Sequence, residues 1–215
     1  MVYPIGKLII PPIYKLWLRK VEGIENIPRD KTFIISANHS SYYDVLLPHI
    51  LIIPKLNKKI HALSNSLYWK YPICRPFLDW GECVPVFTDK EKNSKQKNKV
   101  AIGKALKYLK NKELVLIFPE GTRSNDGKLK KGHTGIARLT LEAKVPVLPF
   151  GIIGAYKVIP KGKNLPRFAR CEVKIGKALY FNKYYNKKIT NKILEEITRN
   201  IMKQIAKLIN QQYNY

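Results

Sequence analysis

Short apolar runs and amphipathic stretches alternate along this chain. Five runs of apolar or β-branched residues have the length of buried strands: Thr32–Ala37, Glu82–Phe87, Leu114–Phe118, Val145–Leu148 and Cys171–Ile175. Strand-like runs that alternate with helical patterns are typical of an α/β fold, in which helices flank a central sheet.

Amphipathic helices are predicted between and after these runs. From Lys97 to Lys110, apolar side chains recur on one face and lysines cover the other. A second helix is predicted from about Gly135 to Ala143. Isoleucine and leucine at four-residue steps predict a C-terminal helix over about residues 190–212, which closes the domain.

The N-terminal residues have a different pattern. Residues 1–18 are apolar in short bursts that lysines and prolines interrupt. A bilayer-spanning helix needs about 20 consecutive apolar residues, so we do not expect this segment to cross a membrane. Further apolar residues recur at helical spacing with basic residues around them: Ile13, Leu16, Trp17 and Val21. This pattern predicts a short amphipathic helix at a membrane interface, and a helix packed on the domain is the alternative.

Composition supports one folded domain and adds a strong charge. The chain has 215 residues, 45% of them hydrophobic, which is enough to bury a core. We therefore predict an N-terminal interfacial segment over residues 1–27 and a single domain over residues 28–215. The net charge of +25 predicts attraction to phosphates, anionic lipid surfaces or nucleic acid. Nucleic-acid binding is disfavoured because the lysines are spread over most exposed segments and form no known motif.

The cysteines do not indicate a disulfide framework or a zinc site. Cys74, Cys83 and Cys171 are odd in number and widely spaced, without a Cys-x-x-Cys pair.

A histidine and an aspartate follow the first predicted strand. Residues 38–44 read NHSSYYD, and a helix-like run begins at Val45. A carboxylate bonded to one imidazole nitrogen raises the basicity of the other, so His39 beside Asp44 could act as a general base. On a regular helix the two would lie about 140° apart, so they meet only across a turn. Alternatively, Asp44 only caps the helix and His39 has no catalytic role.

A second group of polar residues follows the strand at Leu114–Phe118. Residues 118–124 read FPEGTRS, and lysines follow at 128, 130 and 131. Gly121 permits a tight turn, Thr122 offers a hydroxyl, and the planar guanidinium of Arg123 suits a phosphate. This composition predicts an anion-binding loop, and a solvent-exposed turn is the alternative.

Together these motifs resemble those of the lysophosphatidate acyltransferases and their glycerolipid acyltransferase relatives. The first family motif, Asn-His-x4-Asp, matches Asn38, His39 and Asp44. The third, Phe-Pro-Glu-Gly-Thr-Arg-Ser, is unchanged at residues 118–124, and the Lys-Gly that commonly follows it matches residues 131–132. The fourth, Val-Pro-Val-x-Pro, matches residues 145–149, and the matches extend in order from about residue 28 to 180.

The second family motif matches this sequence less closely than the other three. Gly81 leads into residues 84–90, where Lys90 stands at a position that is commonly arginine in the family. Lysine keeps the positive charge but loses the bidentate geometry toward phosphate.

The resemblance implies a single α/β domain with a mixed central sheet flanked by helices, and core motifs within residues 34–154. It implies that His39 takes the proton from the free hydroxyl of 1-acyl-glycerol-3-phosphate as that oxygen attacks a thioester, while Asp44 orients the imidazole. The donor would be acyl-CoA or acyl carrier protein, and the product phosphatidate. The acceptor's phosphate would be held by residues of the third motif and two lysines: Glu120, Gly121, Thr122, Arg123, Lys131 and Lys90.

The resemblance also bears on cofactors, partners and location. It implies no metal and no bound cofactor, and His49, His61 and His133 are expected to be structural or surface residues. The implied partners are a lysophospholipid, the thioester donor and an anionic membrane surface, on which the protein would lie peripherally or monotopically at the cytoplasmic face. The same motifs occur in enzymes with other acceptors, so another lysophospholipid or an ornithine lipid is the alternative acceptor.

Overall fold

A computed structural model describes Pro12 and residues 15–88, 90–163 and 165–215. This part of the chain contains one sheet of seven strands: β1 Leu18–Glu22, β2 Ile34–Ala37, β3 Ile60–Asn65, β4 Val84–Val86, β5 Leu114–Ile117, β6 Val147–Ile153 and β7 Cys171–Ile175. Their order in the sheet is β1-β7-β6-β2-β5-β3-β4. All neighbouring strands are parallel except β6 and β7, which are antiparallel.

Helices cover both faces of this sheet. They are α1 Tyr43–Leu56, α2 Arg75–Trp80, α3 Ser94–Lys110, α4 Gly135–Ala143, α5 Ala155–Val158 and α6 Asn191–Leu208. Successive strand residues point to opposite faces: Ile35 packs with α1 and α5, whereas Ile34 packs with α3, α4 and α6. The mixed-sheet α/β fold is therefore confirmed, with one apolar core on each side of the sheet.

The parallel arrangement brings two loops to one edge of the sheet. In β2, Ser36 is in register with Ile117 of β5 on one side and with Pro149 of β6 on the other. Adjacent parallel strands end at the same edge, so the loops that follow β2 and β5 leave the sheet side by side. This is the edge at which α/β folds generally place their binding sites.

Most predicted elements are present with small changes of length. All five predicted strands are found, and β6 runs five residues further than predicted, to Ile153. The predicted helix at Gly135–Ala143 is α4, and the C-terminal helix is α6. The strands β1 and β3 and the helices α2 and α5 were not predicted.

The helix predicted through Val21 is wrong in its second half. Leu18–Glu22 forms strand β1, which pairs with β7. The preceding Trp17 packs on the core and donates an indole hydrogen bond to the Arg167 carbonyl oxygen at 3.0 Å. Pairing with β7 satisfies the backbone of this stretch, which outweighs the weak helical preference of so short a segment.

Residues 1–11, 13 and 14 of the predicted interfacial segment lie outside the described residues. Within the described residues, no helix combines the length and the hydropathy needed to cross a bilayer.

Candidate functional site

A turn between β2 and α1 brings His39 and Asp44 together. His39 comes two residues after β2, and Asp44 lies in the first turn of α1. His39 Nδ1 lies 3.0 Å from Asp44 Oδ2. The same oxygen accepts hydrogen bonds from the backbone N–H groups of Ser40 (2.5 Å) and Ser41 (2.7 Å). Asp44 thus holds the turn and contacts the imidazole at once.

This contact determines which imidazole nitrogen is available for chemistry. A carboxylate can only accept, so Nδ1 carries the hydrogen and Nε2 carries the lone pair. The His39 ring stacks on Phe118, with centroids 4.1 Å apart and planes 19° apart. The His39 side chain retains 16% exposure, whereas that of Asp44 is fully buried. A fixed imidazole with an accessible basic nitrogen is the arrangement of a general base.

Glu120 connects the His39 turn to the loop after β5. Its Oε1 accepts from the His39 backbone N–H at 2.7 Å, and its Oε2 accepts from the Lys130 backbone N–H at 2.9 Å. The Ser124 N–H completes the connection by donating to the His39 carbonyl oxygen at 2.8 Å. Glu120 is 3% exposed. Both carboxylate oxygens of Glu120 accept from backbone N–H groups, and these contacts position His39. Neither oxygen is left to face an anionic ligand.

Burial also changes the ionisation of Glu120. Desolvation raises its pKa from 4.5 to about 7, although the backbone N–H groups of His39 and Lys130 oppose the shift. Because folding raises the pKa of Glu120, protonation of this carboxyl group stabilises the folded state. This stabilisation is fully present below pH 4.5 and is lost as the pH rises through 7. A rise of this size corresponds to ~3 kcal/mol at 1.36 kcal/mol per pH unit.

Glu120→Gln should therefore reduce the pH dependence of the unfolding free energy. Glutamine does not titrate, so the unfolding free energy of the wild type should fall relative to the variant by ~3 kcal/mol between about pH 4.5 and pH 8. Urea unfolding of both proteins across this range measures the difference. A difference that stays constant with pH would show that Glu120 does not titrate in this window.

Arg123 is the centre of a cationic cluster beside the His39 turn. Its guanidinium carbon lies 3.6 Å from the centroid of the Tyr42 ring, and its buried Nη1 has no hydrogen-bond partner among the residues that the structure describes. The ammonium groups of Lys130 and Lys161 donate to the Arg123 carbonyl oxygen at 3.0 Å and 3.4 Å. Within the described part of the chain, no carboxylate forms an ion pair with these three cations. The cluster thus presents uncompensated positive charge, which attracts an anionic group.

Other residues predicted for phosphate binding lie at the surface. Gly121 makes the tight turn, with φ of 64° and its N–H bonded to the Phe118 carbonyl oxygen at 3.0 Å. Thr122 and Lys131 are exposed in this loop, and Lys90 is exposed between β4 and α3. Among the described residues, no hydrogen bond or ion pair joins Lys90 or Lys131 to His39 or Arg123.

Three residues in contact with Arg123 were not among the predicted phosphate-binding residues: Tyr42, Lys130 and Lys161. Lys130 is adjacent to the predicted Lys131, but sequence does not show which lysine of the loop turns toward Arg123. Lys161 lies in a basic stretch 38 residues away along the chain. The only available signal was the local excess of basic residues.

Asn38 has a structural role in the same motif. Its amide donates to the Ile152 carbonyl oxygen at 2.8 Å and accepts from the Ile152 N–H at 2.7 Å. Asn38 therefore continues the pairing of β2 with β6 by one residue through its side chain. This anchors the chain immediately before His39.

Two other histidines have contacts within the fold. His49 Nδ1 contacts the Val45 carbonyl oxygen at 2.7 Å, and burial lowers the pKa of this histidine. His61 is fully buried, stacks on Tyr108 and contacts Glu113 at 3.1 Å. His133 is exposed beside Gly121.

Comparisons with known proteins place this chain beside acyltransferases. A family model described as Acyltransferase matches residues 18–153. The chain is 33% identical over 162 residues to the 1-acyl-sn-glycerol-3-phosphate acyltransferase of Bacillus subtilis (strain 168). This match covers 75% of this chain and 73% of that protein. It is 27% identical over 160 residues to the chloroplastic 1-acyl-sn-glycerol-3-phosphate acyltransferase LPAT1 of Arabidopsis thaliana. That match covers 74% of this chain and 42% of the Arabidopsis protein.

A solved structure has a similar fold. The crystal structure of the 1-acyl-sn-glycerophosphate acyltransferase PlsC from Thermotoga maritima superposes with a TM-score of 0.66 at 25% identity. The match covers 97% of this chain and 81% of that one.

Proposed function

Because the chain belongs to the acyltransferase family, we propose that it transfers a fatty acyl group from a thioester to the free hydroxyl of 1-acyl-glycerol-3-phosphate. The product is phosphatidate, and the role lies in phospholipid biosynthesis. The observation that carries this proposal is the His39–Asp44 contact of 3.0 Å next to the Arg123 cluster. The His39–Asp44 pair suits the removal of a hydroxyl proton, and the Arg123 cluster suits the phosphate of the same acceptor.

The chemistry is a direct transfer. His39 Nε2 takes the proton of the acceptor hydroxyl while the oxygen attacks the thioester carbonyl carbon. The carbon–sulfur bond then breaks, and the proton passes from the imidazolium to the leaving thiolate. Asp44 Oδ2 holds the Nδ1–H and stabilises the imidazolium between these two steps. No acyl group is carried by the enzyme.

The acceptor's phosphate is assigned to the cluster at Arg123. The buried Nη1 of Arg123 lacks a partner in the described part of the chain, and an unpaired buried donor of this kind supports a role in ligand binding. Lys130 and Lys161 add positive charge beside it. Gly121 and Thr122 shape the loop, and Lys131 and Lys90 are proposed to act through their charge.

Glu120 has a different role from the other residues of its motif. We assign it to positioning, because it holds the backbone of His39 and that of Lys130 at the same time. Small displacements of a general base cost large factors in rate, so this link is important for turnover even without contact with substrate.

The donor and the membrane complete the proposal. Both acyl-CoA and acyl carrier protein present the reactive thioester, and both are acidic partners that suit a chain of net charge +25. The same charge suits the anionic cytoplasmic face of a membrane, where we place the protein as a peripheral enzyme.

The acceptor is tested with a panel of lysolipids and one radiolabelled thioester. We expect kcat/KM for 1-acyl-glycerol-3-phosphate to exceed that for lysophosphatidylcholine and for an ornithine-containing lysolipid by about tenfold or more, because a bare phosphate can enter the Arg123 cluster. A higher kcat/KM for either of the other acceptors would refute the assignment of lysophosphatidate.

A further inference from the structure

Two exposed segments next to the site combine apolar side chains with basic ones. The first, residues 66–80, joins β3 to the end of α2, and the second comprises the described residues of 159–170 between α5 and β7. Together we call them the rim. In the part of the chain that the structure describes, more than half of the strongly exposed large hydrophobic side chains belong to it: Leu67, Tyr71, Ile73, Phe77, Trp80, Leu165 and Phe168.

The degree of exposure in the rim is unusual for a soluble surface. Ile73, Phe77 and Leu165 are 79%, 73% and 79% exposed, and Phe168 is fully exposed. Single exposed apolar residues are normal, but several close together along the chain indicate an interaction surface.

The charge of the rim is almost entirely positive. Its basic residues are Lys70, Arg75, Lys161, Lys163, Arg167 and Arg170, and all of them are exposed. Its one acidic residue, Asp79, is occupied by local contacts with Trp69 at 2.9 Å and Arg75 at 3.5 Å. The uncompensated positive charge is complementary to an anionic surface.

Both segments of the rim contact the catalytic region directly. Tyr68 packs edge-on against Tyr42, whose ring stacks on Arg123. In the second segment, Lys161 binds the Arg123 carbonyl oxygen and the Ile159 carbonyl oxygen accepts from Ser41 Oγ at 2.9 Å. A surface engaged by the rim would therefore lie next to the site.

We propose that the rim is the docking surface for an anionic phospholipid bilayer. The apolar and aromatic side chains enter the interfacial layer, and the basic residues contact anionic headgroups, as in other interfacial segments. A bilayer is favoured over an acidic protein because Ile73, Phe77 and Phe168 project bulky apolar groups that a purely electrostatic partner would not bury. This assignment rests on the proposed function, since a lipid acceptor requires the site to lie at a lipid surface.

The test uses the full chain and two double variants of the rim. Ile73→Ser/Phe77→Ser removes apolar contacts, and Lys163→Glu/Arg167→Glu reverses charge; none of these residues belongs to the catalytic cluster. The matched controls are Val100→Ser/Tyr215→Ser and Lys192→Glu/Lys203→Glu, at exposed positions outside the rim. Binding is measured by co-sedimentation with vesicles that contain phosphatidylglycerol and with vesicles of phosphatidylcholine alone.

We expect each rim variant to bind anionic vesicles at least about tenfold more weakly than its control. All variants should keep normal turnover of a short-chain, water-soluble lysophosphatidate, which shows that the fold and the site are intact. Rim variants that bind anionic vesicles as well as their controls would overturn the proposal. Loss of binding to acyl carrier protein with unchanged vesicle binding would overturn it in favour of a protein partner.

The same experiment separates this proposal from the proposed function. If the wild type binds anionic vesicles through the rim but forms no phosphatidate from the soluble acceptor, the docking surface stands and the activity assignment fails.

Discussion

Replacing His39 with alanine is expected to lower kcat for acyl transfer by about 10²- to 10⁴-fold, the usual contribution of a positioned general base. The variant loses the nitrogen that removes the hydroxyl proton, whereas its backbone contacts with Glu120 and Ser124 do not involve the side chain. The fold should therefore persist. Initial rates of phosphatidate formation, with circular dichroism to verify folding, measure the effect.

Two further variants make this result specific. His133→Ala removes an exposed imidazole from the loop that carries Gly121 and should change kcat by no more than a few fold. Asp44→Asn keeps the size of the side chain but removes the charge that stabilises the imidazolium, so its kcat should fall substantially. A folded His39→Ala protein with turnover close to the wild type would remove His39 from the mechanism.

Arg123→Ala is expected to lower kcat/KM for lysophosphatidate by about 10- to 100-fold, mostly through a higher KM. Charge-assisted hydrogen bonds contribute ~1.5–3 kcal/mol each, and alanine removes the Nη1 donor, which has no partner among the described residues. Arg123→Lys should recover only part of the loss, because lysine lacks the planar fork and cannot reproduce the stacking on Tyr42.

The phosphate role of Arg123 is isolated by comparing two acceptors. Wild type should prefer 1-acyl-glycerol-3-phosphate to 1-acylglycerol, and Arg123→Ala should lose most of that preference. Arg138→Ala serves as the control, since Arg138 is exposed on α4 and pairs locally with Glu142 at 3.5 Å. An unchanged KM for lysophosphatidate in Arg123→Ala would place the phosphate elsewhere.

The elements that sequence predicted well are those with an uninterrupted apolar signal. β5 and β7 are continuous or alternating apolar runs, and α4 has a clear apolar face. β3 mixes His61, Ser64 and Asn65 with apolar residues, so its pattern is weak. The full length of α1 could not be predicted because Pro48 and Pro54 lie inside it, and proline usually ends a helix.

The contact between His39 and Asp44 was predictable from sequence, but the cluster around it was only partly so. The spacing of His39 and Asp44 required a turn and a helix start, and both are present. The proximity of Lys161 to Arg123 depends on the path of a long irregular loop, which no local pattern encodes. The resemblance implied a phosphate-binding role for Glu120, whereas its hydrogen bonds to the backbone of His39 and Lys130 support our proposal that it positions His39.

The most direct test of direct acyl transfer is the stoichiometry of the wild-type reaction. Purified protein is mixed with acyl-CoA, with and without lysophosphatidate, and free thiol and phosphatidate are measured together over time. We predict that thiol appears only when the acceptor is present and in equal amount to phosphatidate, without an initial burst of thiol. Thiol release without acceptor, or thiol without matching phosphatidate, would contradict transfer from thioester to hydroxyl at His39.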